Sequence, residues 1–360
     1  MGARVMVMAG GTGGHVYPAL AVARLLRERG HEVAWMGAPD SFEARLVPDE
    51  GFVFHAVRVA GLRGKGWARR AGAPLMLGGA LARALAVLRR ARPAAVLGMG
   101  GFVSGPGGVA ARLLGRPLVI HEQNAVPGLT NRLLARIANR VLEAVPGSFP
   151  AARGARAVGN PVRAAIAALA PPQRRFAERG EAPLSLLVLG GSLGAEALNQ
   201  VVPAALARVA ARHPLRVRHQ AGRGKAEATA QAYRAVGLEA EVDEFIDDMA
   251  AAYAGADLAI CRAGALTIAE LAAAGLGAVL VPYPHAVDDH QTANARGLAE
   301  AGAARLVAQA GLTVETLAEI LDALFSSGRE GLSEMAGRAR ALARPDAARA
   351  VADACEEVMS

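Results

Sequence analysis

Twice along this chain a short apolar run ends in a Gly-Gly-x-x-Gly turn and is followed by a helical pattern. Val5 to Ala9 leads into Gly10-Gly-Thr-Gly-Gly14 and then into Val16 to Arg29, where Leu20, Ala23 and Leu26 share one face and Gly30 stops the pattern. Leu184 to Leu189 leads into Gly190-Gly-Ser-Leu-Gly194 and then into Glu196 to Arg212. A glycine-rich turn between strand and helix lets backbone N–H groups approach an anion, and the helix N-terminus adds a partial positive charge. Either turn alone is equally compatible with close packing. Two in matching positions predict a pair of Rossmann-like domains holding a nucleotide diphosphate between the loops Gly10 to His15 and Gly190 to Ala195.

The rest of the alternation fits. Glu32 to Gly37, Phe52 to Val59, Ala94 to Gly98, Leu118 to His121 and Arg140 to Ala144 read as further strands of the first half. Arg216 to Gln220, Glu239 to Asp243, Asp257 to Cys261, Gly277 to Val281 and Ala304 to Val307 serve the second. Strands joined by helices imply an α/β fold: two doubly wound parallel sheets facing a cleft. A chain of 360 residues exceeds the usual size of one core. The break falls between Gly159 and Pro183, so we expect domains at 1–160 and 161–345, with a C-terminal helix at 346–360 packing back on the first. Two cysteines, Cys261 and Cys355, form no metal-ligand or disulfide framework and suit a reducing compartment. No signal peptide is expected, and Pro74, Gly78, Gly79 and Arg83 interrupt the most apolar stretch, so no spanning helix is expected either.

The net charge of +8 is unevenly placed. No Asp or Glu occurs between Glu50 and Glu122, while Arg58, Arg63, Lys65, Arg69, Arg70, Arg83, Arg89, Arg90, Arg92, Arg112 and Arg116 all fall there. An anionic partner is therefore expected on the first half.

Other polar clusters follow predicted strands, at the edge where open parallel sheets bind ligands. Gly98-Met-Gly-Gly-Phe-Val-Ser-Gly-Pro-Gly-Gly108 offers another turn of backbone amides, or a tight crossover. His121-Glu-Gln-Asn124 places four polar side chains at a strand end, which points to substrate contact. In Cys261 to Glu270, Gly264 opens a helix that carries Glu270 on its second turn, where a carboxylate can accept from two ribose hydroxyls or simply face solvent. In Asp288 to Asn294, Asp288 suits a helix cap, and Gln291 and Asn294 could meet sugar hydroxyls.

Together, Gly10-Gly-Thr-Gly-Gly-His-Val-Tyr-Pro18, Gly61-Leu-Arg-Gly-Lys-Gly66, Gly98 to Pro106, His121 to Asn124, Gly159-Asn-Pro-Val-Arg163, Gly190 to Ala195 and Arg262 to Glu270 closely resemble the bacterial lipid II synthase family over essentially the whole chain. The resemblance implies the GT-B glycosyltransferase architecture, with donor binding mainly in the second domain and acceptor binding in the first. It implies inverting transfer of N-acetylglucosamine from UDP-N-acetylglucosamine to the 4-hydroxyl of undecaprenyl-diphospho-N-acetylmuramoyl-pentapeptide, lipid I. By motif, the Ile246 backbone would read uracil, Glu270 the ribose and Ser192 the diphosphate. Arg163 and the helix start Ala265, Leu266, Thr267, Ile268, Ala269 would complete the UDP site. Gln291 would hold the sugar, while Thr12, Gly13, Gly14 and Asn124 would face sugar and acceptor.

Inversion needs a base near the attacking hydroxyl. His15, a residue type that titrates near neutrality, and Glu122 are the candidates. No Asp-x-Asp motif occurs, Glu241-Val-Asp243 being the nearest approach, so no cofactor and no metal are expected. The acceptor's lipid tail implies a peripheral site on the cytoplasmic face of the bacterial inner membrane. Trp67, Arg69, Arg70, Leu75, Arg83, Arg89 and Arg90 combine apolar and basic character for an anionic phospholipid surface, or form a core helix with outward arginines. Other cell-wall synthesis proteins are further expected partners. Gly277, where many relatives would have proline, suggests a looser turn. Two alternatives remain: a nucleotide-regulated nucleic-acid binder, disfavoured by the lack of stacking aromatics, and a transferase acting on diacylglycerol.

Overall fold

The computed structural model describes residues 2–59, 73–191 and 193–359, and the chain divides into two compact units. One comprises Met1–Arg163 with Arg344–Ser360, the other Ala164–Ala343.

The first unit is built on a parallel sheet of seven strands: β1 (Arg4–Met8), β2 (Glu32–Gly37), β3 (Val53–Ala56), β4 (Ala95–Gly98), β5 (Leu118–Glu122), β6 (Arg140–Glu143) and β7 (Arg156–Ala157), in the order β3-β2-β1-β4-β5-β6-β7. The side chains of β1 alternate between two cores. Val5 and Val7 join Leu20, Leu26 and Trp35 on one face, and Met6 and Met8 join Leu88, Leu118 and Ile120 on the other. Each large apolar side chain withdrawn in this way contributes about 1.5–3 kcal/mol. The helix Ala347–Glu357 lies in this unit, where Val351 and Cys355 share a core with Val16 and Leu20, and Arg29 reaches Asp353 and Glu356 at 2.7 Å.

The second unit repeats the plan with β8 (Leu184–Leu189), β9 (Leu215–Gln220), β10 (Glu241–Asp243), β11 (Leu258–Cys261), β12 (Ala278–Leu280) and β13 (Ala304–Leu306), ordered β10-β9-β8-β11-β12-β13 and all parallel. In each sheet the order reverses once, between β1 and β4 and between β8 and β11. Ligands of doubly wound folds sit beyond the strand ends at such reversals. Both glycine turns of the sequence leave the first strand of such a pair, so topology and motif coincide.

Several details differ from the sequence reading. The strand expected over Phe52 to Val59 is confined to Val53–Ala56, and β7 has only two residues, too short to carry a period. The helix Phe42–Asp49, missed from the sequence, is capped by Ser41, whose Oγ accepts the Ala44 N–H at 3.2 Å. The N-cap position of the following helix, His290–Glu300, falls at Asp289 and not at Asp288, and both aspartates are left-handed, with φ of 50° and 54°. Nor is the turn at Gly277 loose. A Cβ there would lie 2.8 Å from Met335 Cγ, so the Met335 side chain fills the room a proline ring would need.

Candidate functional site

In the first unit, three segments meet at the β1/β4 reversal. Thr12, extended and exposed, precedes the helix Gly13–Glu28, so Gly13, Gly14 and His15 form its first turn. Gly11, with φ of 95°, turns its N–H to Glu43 Oε2 at 3.1 Å, while Glu43 Oε1 accepts from Ala38 N. Glu43 is 1% exposed, and a Cβ on Gly10 would lie 2.3 Å from its Oε1. This loop therefore closes over an internal carboxylate, which already satisfies one of its amides.

The Gly98 to Gly108 loop packs onto it. A Cβ on Gly100, whose φ is 99°, would lie 2.7 Å from His15 Nδ1, and one on Gly101 would lie 2.5 Å from the Gly10 carbonyl oxygen. Only glycine permits both the backbone conformation and the approach. The glycine density of this loop thus serves the seating of His15.

Contact of the whole His121 to Asn124 tetrad with substrate is not what the structure shows. His121, Glu122 and Gln123 are 0%, 2% and 2% exposed, and only Asn124 is half-buried. His121 Nε2 donates to the Gly159 carbonyl at 2.9 Å, and burial pushes its pKa down to about 4 despite that bond and the nearby Glu122. The Glu122 carboxylate accepts four hydrogen bonds: from Asn124 N (3.0 Å) and Nδ2 (3.1 Å), Gly128 N (3.1 Å) and Asn131 Nδ2 (2.9 Å). These fill the acceptor capacity of a carboxylate, leaving no lone pair to take a proton from substrate. Gln123 reaches His15, with Oε1 3.0 Å from Nδ1. His15 itself is half-buried, and Arg163, at the end of this unit, lies 5.0 Å over the Tyr17 ring.

In the second unit, Ser192 lies outside the described residues, but its loop is clear. Gly191 and Gly194 have φ of 78° and 72°, and Cβ atoms on Gly194 and Gly222 would collide with the backbone across the turn, at 2.1 Å and 2.2 Å. Gly222, which follows β9 and backs the Gly190 loop, was not singled out from the sequence. Its signal was the run Ala221-Gly-Arg-Gly224 at a strand end. Across the reversal, β11 leads through Gly264 into the helix Ala265–Ala274, which has no side-chain cap. The N–H groups of Ala265, Leu266 and Thr267 have no intrahelical acceptors, an arrangement that favours an anion. Ile268 and Ala269 complete the turn half-buried.

Glu270, one residue on, is 2% exposed and accepts from the Tyr253 hydroxyl at 3.3 Å. It is therefore not the exposed helix carboxylate that sequence left open. Gln291 Oε1 accepts from Ala263 N (3.2 Å) and Tyr283 N (3.0 Å), joining the loops after β11 and β12 and leaving its amide nitrogen as the end suited to a hydroxyl. Ile246, after β10, is buried. Among the described residues, no three His, Cys, Asp or Glu side chains are grouped to hold a metal ion.

The buried histidines make acid stability predictable. His219, between Tyr233 Oη (3.0 Å) and Asn199 Oδ1 (3.1 Å), is held by burial at about 4, as is His121. An unfolded histidine titrates near 6.5, so between about 6.5 and 4 the unfolded chain binds protons the folded chain refuses. Stability should fall as pH drops through that window, by about 1.4 kcal/mol per pH unit for each histidine. Urea midpoints at pH 7, 5.5 and 4.5 check this: His219→Gln should flatten the fall, and an unchanged slope would contradict it.

Comparison with known proteins follows the same division. The pattern of the Glycosyltransferase family 28 N-terminal domain matches residues 5–143, and that of the Glycosyltransferase family 28 C-terminal domain matches residues 185–351. The UDP-N-acetylglucosamine–N-acetylmuramyl-(pentapeptide) pyrophosphoryl-undecaprenol N-acetylglucosamine transferase of Methylococcus capsulatus is 55% identical, with 99% of each chain covered. The protein of the same name from Chromohalobacter salexigens is 57% identical, over 98% of this chain and 96% of that one. The crystal structure of Acinetobacter baumannii MurG matches with a TM-score of 0.85 and 44% identity over 99% of each chain.

Proposed function

From its membership of glycosyltransferase family 28, in the lipid II synthase branch to which this chain belongs, we propose how its residues divide the reaction. The chain is a UDP-N-acetylglucosamine-dependent transferase with the GT-B fold, moving N-acetylglucosamine to lipid I to give lipid II for peptidoglycan. The observation that carries the division of labour is the β8/β11 reversal, where an uncapped helix start, a glycine loop and the buried Glu270 lie together.

The second unit takes the donor. Amides of Ala265 to Thr267 and the loop bearing Ser192 meet the diphosphate, and Arg163, the last residue before this unit, adds positive charge. Glu270 accepts from the ribose hydroxyls, the Ile246 backbone pairs with uracil, and the Gln291 amide meets the transferred sugar. Helix dipoles and Arg163 stabilise the departing UDP without a metal ion.

The first unit presents the acceptor. Thr12, Gly13, Gly14 and Asn124 face sugar and acceptor. His15 is the base: as the acceptor 4-oxygen attacks the anomeric carbon, the bond from that carbon to the UDP oxygen breaks, and the hydroxyl proton passes to the imidazole. Glu122, saturated by four donors, does not act as a base but holds Asn124 and the Gly128 turn in place.

No helix among the described residues is long and apolar enough to cross a membrane. We place the lipid-facing surface on the first unit, as a peripheral site on the inner leaflet. Trp67, Arg69 and Arg70 lie outside the described residues, and Leu75 falls within the helix Ala73–Ala91, on which Arg83, Arg89 and Arg90 are exposed. Its neighbours are the helices Ser104–Leu113 and Leu129–Leu134. They expose Leu113 (64%), Leu129 (51%) and Leu133 (51%) beside Arg112 and Arg132. Each basic residue near an anionic surface contributes about 1 kcal/mol. Arg89→Glu with Arg90→Glu should weaken binding to phosphatidylglycerol vesicles by at least about tenfold. Unchanged sedimentation with vesicles would contradict this surface.

A further inference from the structure

His15 can hold its ring proton on either nitrogen, and whichever nitrogen lacks it is the basic one. The structure settles which through a neighbour without charge. Gln123 Nε2 lies 2.9 Å from the Met99 carbonyl oxygen, and its Oε1 lies 3.0 Å from His15 Nδ1. A carbonyl can only accept, so the amide end facing Met99 is the nitrogen. The oxygen facing His15 can likewise only accept, so Nδ1 carries the proton. Turning the amide over would set two buried acceptors face to face, because Gln123 is 2% exposed. The ring is also confined. Its Nδ1, Cε1 and Cγ would lie within 3.2 Å of any Cβ at position 100, so the backbone of Gly100 is its seat.

We propose that Gln123 is a positioning residue which, clamped to the Met99 carbonyl, fixes the Nδ1–H tautomer of His15 and leaves Nε2 as the nitrogen that takes the acceptor's proton. This rests on the reading of His15 as the base. The logic parallels the orienting group of a hydrolase triad, with one difference: a neutral amide fixes the tautomer without adding a second negative charge beside the departing diphosphate. It also accounts for the third polar residue of the His121 to Asn124 tetrad, which is buried too deeply to touch substrate.

The test is nitrogen-15 NMR of the full chain with labelled histidine, with the His15 signals assigned by their loss in His15→Gln. Wild type with its ring neutral should show a pyrrole-like Nδ1 and a pyridine-like Nε2. Gln123→Met removes the acceptor while keeping the bulk, so the Nε2–H form should gain. The kcat should fall on the order of tenfold to a hundredfold, with the KM for UDP-N-acetylglucosamine unchanged within about twofold. A wild-type spectrum with the proton on Nε2 overturns the proposal, even if the Met variant fails to fold. So does a folded Gln123→Met with unaltered tautomer and kcat. Full turnover in His15→Ala would instead remove the base assignment and leave the tautomer result standing.

Discussion

His15→Ala should lower kcat by about 10²- to 10⁴-fold, the usual contribution of a positioned general base. The KM for UDP-N-acetylglucosamine should stay nearly constant, because the donor is assigned to the other unit. The expectation rests on three features of the first unit. The imidazole lies on the first turn of the helix Gly13–Glu28, half-buried. Gly100 and Gln123 hold it from two sides. The rival carboxylate, Glu122, has no capacity left for a proton. Glu122→Gln replaces an acceptor that serves four donors with one that has a donor end, so Asn124 or Gly128 must move. Its cost should fall on acceptor KM as well as on kcat. A fall in kcat confined to Glu122→Gln, with His15→Ala active, would exchange the two roles. Steady-state kinetics with each substrate varied in turn make the separation.

Glu270→Ala should weaken UDP binding by at least about a hundredfold. Two hydrogen bonds from ribose hydroxyls to a carboxylate contribute about 1.5–3 kcal/mol each. The carboxylate is 2% exposed, so its environment already keeps water away. Glu270→Gln should fall between alanine and wild type, since one amide oxygen still accepts. The Tyr253 hydroxyl, 3.3 Å from Oε2, provides a control: Tyr253→Phe removes that bond but not the ribose ligand. Calorimetric titration with UDP measures all three variants. Equal affinity of wild type and Glu270→Ala would show that the ribose is read elsewhere.

What the sequence made legible was local. A strand, a glycine turn and a helix start are consecutive residues, so Val5 to Gly14 and Leu184 to Gly194 disclosed both the fold class and the ends of the sheets at which the site is proposed. The helix start at Ala265 and the carboxylate of Glu270 were legible for the same reason. Contacts between distant segments were not. Nothing near Gly11 announces that Glu43 receives its amide, and nothing near Gly190 announces Gly222 behind it. Polarity also misled: the tetrad His121 to Asn124 looks like a ligand surface because sequence shows residue type but not burial. Gly277 was misread because the compensating Met335 comes from a helix far along the chain.

The opening pair of glycine loops also proved unequal. The first closes on its own carboxylate, Glu43, and supports a histidine. The second stands beside an uncapped helix start, where an anion would be favoured.

The central claim, transfer of N-acetylglucosamine to lipid I without a metal ion, is tested most directly by UDP release in detergent with excess chelator. A short-chain lipid I analogue and diacylglycerol are offered in parallel, to wild type and to His15→Ala. Wild type should turn over with the lipid I analogue alone, undiminished by the chelator, and His15→Ala should be slower by at least about a hundredfold. Turnover only with diacylglycerol, or only after divalent ions are restored, would contradict it.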